Sequence, residues 1–435
     1  MFWAAVITLG TAFGILTVLR AEVPRQRVVP QPQYSSPVQM GEKSDTQADY
    51  RSSEFREFRA IAWGAVVEDL DPYTDLGHVR AYPPFFAIAF FPFALLWRCR
   101  GAGSALFFLV SYGGGLLAAW CLARWWQRKE ETPRFGLFAV TWLILAPFLL
   151  AVIVRCESDM LVLVPMAVAL LWTARGQRTF GAGVLLGFAA SFKVLPGLFG
   201  VFLLAQRRWR PLAGMMAGGL VCTVLLPVLI WGPHGALQRH RSWYNHVVAP
   251  YHKEGAAGVI GPRVYRSTNQ SLTAAVYRFL TPIQAGKGDD LRQVNLARLS
   301  PQAAGRIASA LRAVIGVGLL IFWIFCLRKD ESPALRAALF ATVPLGTLLL
   351  SEVSIGTHHV VLVVPCAVIL ARAVGLADGA AQRRRWAVAA ALGLCLVGAL
   401  PTIHLLSPML FTTLLLLAAT GAIALDDCRR RSRAT

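Results

Sequence analysis

The stretch FGAGVLLGFAASFKVLPGLFGVFLLA, residues 180–205, decides the fold class of this chain. It is long enough to cross a bilayer, which takes about 20 apolar residues in a helix. Its one charged residue is Lys193, and Pro196 follows three residues later. Proline interrupts the helical hydrogen-bond ladder, and a lysine inside an apolar run needs a polar cavity. The run therefore predicts two half-length membrane helices that meet at a turn between Lys193 and Pro196, with Lys193 towards the exterior.

The rest of the chain repeats this apolar character. Of its 435 residues, 56% are hydrophobic and 15% are charged, and the mean hydropathy is +0.54. A soluble domain carries about 25% charged residues, so disordered, fibrous and ordinary cytosolic proteins are excluded. Apolar runs occur at 2–19, 82–97, 102–123, 135–154, 160–174, 180–205, 211–232, 311–327, 337–350, 360–376, 387–402 and 406–425. We predict an all-α polytopic membrane protein, a bundle of about 10–13 transmembrane or half-transmembrane helices.

The basic residues indicate how the chain is oriented. Lysine and arginine number 43 against 23 acids, a net charge of +20. They lie in short clusters between apolar runs, which is typical of topology signals and contacts with lipid headgroups rather than of nucleic-acid binding. Clusters predicted to be cytoplasmic lie at 124–134, 175–178, 207–210, 328–336, 383–385 and 429–433. The links at 155–159, 233–306, 351–359 and 400–406 should then be exterior.

Two long polar segments divide the chain. The predicted order is an anchor helix at 1–19, a first exterior loop at 20–79, the first half of the bundle at 80–232, a second exterior loop at 233–306, the second half at 307–425 and a basic cytoplasmic tail at 426–435. The first loop contains one helical pattern, whose apolar face is Phe55, Phe58, Ile61, Ala62 and Ala65. Such a helix lies on a membrane surface or caps the bundle. The short run 82–97 is predicted not to cross the membrane fully.

Metal and disulfide chemistry have little support in the sequence. The eight cysteines are scattered singly, without the spacing of a zinc site or a disulfide framework. His358 and His359 are adjacent, but no third ligand stands at a recognised spacing from them. We therefore predict no metal and no cofactor.

Polar side chains concentrate on the side predicted to be exterior. The candidate catalytic residues are Glu54 and Asp71, and the candidate substrate-binding residues are Glu157, Asp159, Lys193, Arg263, Tyr265, Asn269, Gln270, His358 and His359. Carboxylates, a lysine and histidines around one cavity could accept a proton from a hydroxyl and bind a leaving phosphate. Structural alternatives stay open: a solvated surface charge for Glu54, an Asp-Pro turn for Asp71 and a snorkelling side chain for Lys193.

The order of several motifs resembles a known family. The matching stretches are Ser53-Glu54-Phe55-Arg56-Glu57-Phe58, Asp71-Pro72-Tyr73, Tyr82-Pro83-Pro84-Phe85-Phe86, residues 187–196, residues 206–210, Asn269-Gln270-Ser271-Leu272 and His358-His359-Val360-Val361-Leu362. Together they resemble the polytopic C-type (GT-C) glycosyltransferases. Within these they are most similar to glycosyltransferase family 87, the polyprenol-phosphate-mannose-dependent alpha-mannosyltransferases.

The resemblance implies a GT-C-like bundle with two long exterior loops. It implies a donor sugar, mannose, on a polyprenyl phosphate, a lipid or glycan acceptor, and an inverting displacement without cofactor on the exterior (periplasmic) face of the plasma (inner) membrane. The family's catalytic base is an aspartate where this chain has Glu54, and Asp71 is the second candidate. Lys193, Arg263 and His358 or His359 would hold the phosphate. Cys156-Glu157-Ser158-Asp159 replaces the family's usual Gly-Gln and Asn here.

Two other classes of function remain as alternatives. A transporter or flippase also uses broken helices with a charged residue near the midplane. The lack of a clear internal inverted repeat and the two long polar segments disfavour it. The glutamate at position 54 leaves room for an inactive scaffold that binds a lipid-linked sugar.

Overall fold

A computed structural model describes residues 50–75, 82–96, 102–126, 142, 146, 148–152, 157–256, 265–285, 293–327, 332–374 and 408–432. This part of the chain is helical and contains no β-strand. The helices are α1 Tyr50–Val66, α2 Phe85–Ala94, α3 Ala102–Trp126, α4 Met160–Ala174, α5 Thr179–Phe192, α6 Leu198–Ala205, α7 Trp209–Leu220, α8 Leu226–Trp243, α9 Ala249–Glu254, α10 Leu272–Leu280, α11 Pro301–Phe325, α12 Pro333–Leu350, α13 Val363–Val374 and α14 Pro408–Ser432. Short 3-10 turns lie at Leu195–Gly197 and Gly356–Leu362, and π-helical turns lie at Val221–Leu225 and Tyr244–Val248.

The length and surface of these helices identify a polytopic membrane protein, as predicted. Segments long and apolar enough to cross a bilayer are Ala102–Trp125, Trp209–Glu254, Pro301–Phe325, Pro333–Leu350 and Pro408–Leu425. On α11, Val314, Ile321 and Phe325 are 70%, 61% and 67% exposed. A contiguous apolar surface of this kind faces lipid. The predicted anchor at 1–19 and the run 387–402 lie outside the described residues.

The apolar run 180–205 is broken where the sequence predicted. Helix α5 ends at Phe192, and Lys193 adopts an extended conformation with φ −133° and ψ 128°. A 3-10 turn containing Pro196 follows before α6 begins. Helices α4 and α5 pack together and contain 15 and 14 residues. They form an antiparallel hairpin of nearly equal arms, so Asp159, just before α4, returns to the same end as Lys193.

A glycine seam fixes the position of α5 against α7. A Cβ atom added at Gly183 would lie 1.9 Å from the Pro211 carbonyl oxygen, and one at Gly214 would lie 2.0 Å from the Phe180 carbonyl oxygen. The two backbones are therefore in direct contact, a close approach that small residues permit between membrane helices. Because the two backbones touch, their contact also sets where the chain leaves α5 at Lys193.

The first polar segment caps the bundle through α1. All five residues of the predicted apolar face are buried. The ring of Phe58 packs edge-on against Phe86 and Phe90, with ring centroids 5.0 Å and 5.3 Å away. Helix α2, against which α1 packs, has 10 residues, about 15 Å at 1.5 Å per residue. That is too short for a hydrocarbon core of about 30 Å.

The second polar segment, predicted to be a loop, begins with a long helical stretch. A loop was predicted to start at residue 233, but the chain is helical beyond that position as far as Glu254. Only a kink marks this position: Gly232 has φ 70° and ψ 168°. Glycine tolerates this conformation, and Pro233 can restart a helix because its fixed φ suits a first turn.

Basic turns lie at the end of the bundle opposite Lys193. Arg175, just after α4, donates a hydrogen bond to the carbonyl of Arg124 at the end of α3. Gln206, just after α6, donates to the carbonyl of Trp323 near the end of α11. This separation agrees with the alternation of basic and polar links in the sequence. Which end faces the exterior stays a prediction.

Candidate functional site

A buried ion pair lies at the end of the α4–α5 hairpin. Lys193 Nζ donates to Asp159 Oδ1 at 2.6 Å, and the two side chains are 11% and 5% exposed. Burial alone disfavours the charged form of both groups. The charge of Lys193 outweighs burial at Asp159 and lowers the pKa of that carboxyl below its ordinary value. The two side chains hold each other in place through this contact.

Residues from two other parts of the chain, together with Glu157 from the same link as Asp159, surround this pair. Lys193 Nζ lies 5.6 Å from the centroid of the Tyr82 ring, a cation–π distance. Burial raises the pKa of the Tyr82 hydroxyl to about 12, although Lys193 opposes the shift. Glu157 is 3% exposed, and its charge acts on Lys193. His358 lies within electrostatic range of both members of the pair. We call Tyr82, Glu157, Ser158, Asp159, Lys193, Thr357 and His358 the lysine cluster.

Several polar atoms of the lysine cluster are left unpartnered. Ser158 Oγ, Asp159 Oδ2, Thr357 Oγ1 and His358 Nδ1 are buried and have no hydrogen-bond partner among the described residues. Thr357 lies beside the Asp159 carboxylate, but no hydrogen bond of ordinary geometry joins them. Buried polar groups are normally hydrogen-bonded, so a group of exceptions at one place calls for an explanation. A polar ligand would supply the missing partners.

A second polar cluster forms around Glu352. Arg312 on α11 pairs with Glu352 Oε1 at 2.6 Å, and the backbone N–H of Ala256 donates to Glu352 Oε2 at 2.6 Å. The Glu352 carbonyl accepts from Asn269 Nδ2 at 2.8 Å and from the Ser271 hydroxyl at 2.7 Å. We call this the glutamate cluster. It fastens the segment after α12 to the loop before α10 and to the end of α9.

Four predicted binding residues belong to the glutamate cluster or its surroundings. Asn269 Oδ1 accepts from the backbone N–H of Ser354 at 2.9 Å, and the backbone N–H of Gln270 donates to the Ser354 carbonyl at 2.7 Å. His359 is 1% exposed, with Nδ1 2.9 Å from the Ile355 carbonyl. The ring of Tyr265 stacks on Tyr277 with centroids 3.9 Å apart. These contacts hold loops together, and none of the contacts named here involves Lys193.

The two histidines therefore separate, with only His358 in the lysine cluster. They lie in the 3-10 turn Gly356–Leu362, where successive side chains point in different directions. Asp71 forms a local turn: its Oδ1 accepts from the Tyr73 backbone N–H at 2.8 Å. The Tyr73 hydroxyl then donates to the Tyr82 carbonyl at 2.7 Å. Asp71 is thus linked to the lysine cluster through two tyrosines.

The structure does not describe the side chains of two predicted site residues, Glu54 and Arg263. Glu54 lies near the start of α1, but its side chain is outside what the structure describes. Arg263 also lies outside the described residues.

A pocket lies beside the lysine cluster. Its lining is Ile61, Pro72, Tyr73, Tyr82, Pro83, Pro84, Phe86 and Ala87. Tyr82 belongs to both, so the polar atoms and the apolar wall adjoin. Within the described part of the chain, no group of three or more His, Cys, Asp or Glu residues could hold a metal ion.

The sequence analysis did not select three members of the lysine cluster. Tyr82 opens the Tyr-Pro-Pro motif, Ser158 stands between two acids, and Thr357 directly precedes the histidine pair. Their positions next to selected residues were the available signal. Polar side chains of Ser, Thr and Tyr are too common for their identity alone to mark a site.

Comparison with known proteins agrees with the resemblance of the motifs. The sequence profile of glycosyltransferase family 87 matches residues 81–352. A polyprenol-phosphate-mannose-dependent alpha-(1-2)-phosphatidylinositol pentamannoside mannosyltransferase from Mycobacterium tuberculosis (strain CDC 1551 / Oshkosh) is 28% identical over 331 residues. The alignment covers 74% of this chain and 63% of that protein, so less than two thirds of the relative's length is matched. No solved structure matches the chain.

Proposed function

Because the chain belongs to glycosyltransferase family 87, we propose that it transfers a hexose from a polyprenyl phosphate to a hydroxyl group of a lipid or glycan acceptor. Mannose is the first donor sugar to test, since the mycobacterial relative is named for polyprenol-phosphate-mannose. One feature of the structure supports a particular location for the active site. It is the buried pair of Lys193 and Asp159, surrounded by polar atoms that lack partners, at a break between half-length helices.

The neighbouring elements suit a lipid-linked substrate. The half-length helices α5 and α6 bring the lysine cluster into an otherwise apolar bundle, where a head group could enter while its polyprenyl tail stays in the bilayer. The pocket beside the cluster is mostly aromatic and proline-lined. Such surfaces bind the apolar parts of ligands, while a few polar groups orient them.

The proposed reaction is one displacement at the anomeric carbon. Glu54 accepts the proton of the acceptor hydroxyl while that oxygen attacks the carbon from the side opposite the phosphate. The bond between the carbon and the phosphate oxygen breaks, and the polyprenyl phosphate leaves with its electron pair. Configuration is inverted in a single step. His358 and Arg263 would donate to the phosphate, because the charge of Lys193 is already balanced by Asp159.

The proposed location is the exterior side of the plasma (inner) membrane. The support is the separation of the lysine cluster from the basic turns at Arg175 and Gln206–Arg210. Positively charged turns favour the cytoplasmic side. Labelling single cysteines with an impermeant reagent tests this, and position 208 should react only after the cells are opened.

Proteoliposomes that contain radiolabelled polyprenyl-phosphate hexose test the function itself. Transfer of label to an added acceptor supports the enzyme. Movement of the labelled lipid between leaflets without transfer would indicate a carrier, and binding alone would indicate a scaffold. A panel of donors with mannose, glucose or galactose identifies the sugar.

The base is tested by Glu54→Gln. This change keeps the size of the side chain but removes its ability to accept a proton, so transfer should fall by about 10²–10⁴-fold at saturating donor. Glu54→Asp should retain part of the activity, because the carboxylate remains but is shorter by one methylene.

Asp71→Asn is the matched control for a neighbouring carboxylate. The amide oxygen of the substituted side chain could still accept from the Tyr73 N–H, so the turn and the transfer rate should both persist. If Asp71→Asn abolishes transfer and Glu54→Gln does not, the base is Asp71.

A further inference from the structure

The lysine cluster can be assigned to one part of the donor. We propose that Asp159, Lys193, Ser158 and Thr357 bind hydroxyl groups of the transferred sugar and not the donor phosphate, which is left to His358 and Arg263. The inference rests on the proposed function, which supplies the lipid-linked sugar as the substrate.

The charge of the cluster disfavours a phosphate. Among the described residues of the cluster, Lys193 supplies the ammonium group, which lies 2.6 Å from the Asp159 carboxylate. Glu157 is also buried there, and its charge reaches Lys193. An incoming phosphate would have to share the lysine with a buried carboxylate, and like charges repel strongly where water is excluded.

The hydrogen-bonding capacity of the cluster leads to the same conclusion. Asp159 Oδ2 is an acceptor only, while the hydroxyls of Ser158 and Thr357 can donate or accept. All three atoms are buried without a partner among the described residues. The donor phosphate is a phosphodiester that carries one negative charge and offers only acceptors, so it cannot satisfy Asp159 Oδ2. A sugar hydroxyl donates one hydrogen bond and accepts others, so a pair of hydroxyls on a hexose ring could satisfy the whole set.

Both hydroxyls lie beside a polar group of the cluster, Thr357 beside Asp159 and Ser158 beside Tyr82, but no hydrogen bond of ordinary geometry satisfies either of them. Thr357 is 0% exposed and Ser158 is 0% exposed. Leaving a buried polar group unpaired costs the fold free energy, whereas replacing it with an apolar group of the same shape does not. Removal of such a hydroxyl should therefore leave stability unchanged or raised, and should weaken only the ligand that it contacts.

This expectation separates a sugar subsite from a phosphate subsite. The quantity to measure is the ratio of two dissociation constants in nanodiscs, that of sugar-free polyprenyl phosphate divided by that of polyprenyl-phosphate mannose. A change of this ratio between wild type and variant reports the sugar contacts, because the difference in charge between the phosphate monoester and the diester is the same for both proteins. In Thr357→Val it should fall by about 10-fold, the scale on which a site built for a hydroxyl discriminates. The dissociation constant of polyprenyl phosphate should stay within about 2-fold, because the phosphate contacts are elsewhere.

Two further variants complete the experiment. Asp159→Asn should lower the same ratio, since it removes the charged acceptor. Thr342→Val is the matched control, because Thr342 is equally buried but its hydroxyl is bonded to Trp323 Nε1 at 2.8 Å and to the Leu339 carbonyl at 2.6 Å. This control should lose thermal stability and keep the ratio. Thr357→Val should keep its thermal stability and lower the ratio. The test therefore stays decisive even if Asp159→Asn fails to fold.

Three results would overturn the inference. They are an unchanged ratio in Thr357→Val, an equal weakening of polyprenyl phosphate and of the donor, or a wild-type protein in which the sugar adds nothing to binding. Failure of the proposed function looks different. In that case the donor binds with a sugar contribution, but no hexose reaches any acceptor.

Discussion

Two buried carboxylates, Glu352 and Asp159, show how differently the two polar clusters are built. Each accepts from a cation at 2.6 Å, Arg312 in one case and Lys193 in the other. The second oxygen of Glu352 accepts from the Ala256 N–H, whereas the second oxygen of Asp159 has no partner among the described residues. A closed set of partners is typical of a tie between loops. An open set at a carboxylate that is buried to a similar degree indicates a place for a ligand.

The same chain segment contributes to both clusters. Its first part supplies Glu352 and Ser354, which fasten it to the loop around Asn269. Its second part supplies Thr357 and His358 to the lysine cluster. The glutamate cluster therefore anchors the segment that brings His358 into the lysine cluster.

Removing the closed carboxylate should have the largest effect on the fold. Glu352→Ala leaves Arg312 and the Ala256 N–H without their partner. Breaking a buried pair costs about 3–5 kcal/mol, and we expect the lower end because the Arg312 side chain is 20% exposed. SDS unfolding in mixed micelles, followed by tryptophan fluorescence, measures the loss.

Glu352→Gln serves as its control. The amide oxygen can still accept from Ala256, so the loss should be smaller than in Glu352→Ala. An unchanged unfolding free energy in Glu352→Ala would remove the distinction between the two clusters.

Removing the cation of the open cluster should act mainly on turnover. Lys193→Met should lower transfer by about 10²-fold or more, the scale of one lost electrostatic contact. It should also destabilise the fold, because Asp159 then lacks its counter-ion. The double variant Lys193→Met/Asp159→Asn removes both charges. It should recover stability but not transfer, and recovery of both would make the pair a structural element only.

The sequence allowed the open cluster to be anticipated better than the closed one. Lys193 and Pro196 predicted the break in run 180–205, and the apolar spacing from Phe55 to Ala65 predicted the buried face of α1. Both signals are local, since they depend on helix periodicity and proline geometry.

The pairings themselves could not be predicted in the same way. Glu352 contacts residues near positions 256, 269 and 312, and such long-range partners depend on how the helices pack. Asp159 reaches Lys193 because α4 and α5 are nearly equal in length. The sequence does not give the exact ends of these helices, so this contact could not be predicted. The sequence also could not tell which histidine of the pair faces the site, because that depends on the 3-10 turn.

The smallest expected effect comes from crowding the closed cluster at Gly255. This residue has φ 66°, and a Cβ atom there would lie 2.5 Å from Glu352 Oε2. Gly255→Ala should therefore cost about 1–3 kcal/mol of unfolding free energy, from backbone strain and from displacement of the carboxylate. Gly219→Ala is the control, because its added methyl group meets no atom within 4 Å and lies in helix α7. That variant should be unchanged or more stable by about 1 kcal/mol or less. If Gly255→Ala proves as stable as Gly219→Ala, the Glu352 carboxylate can move without cost, and the glutamate cluster is not the rigid tie described above.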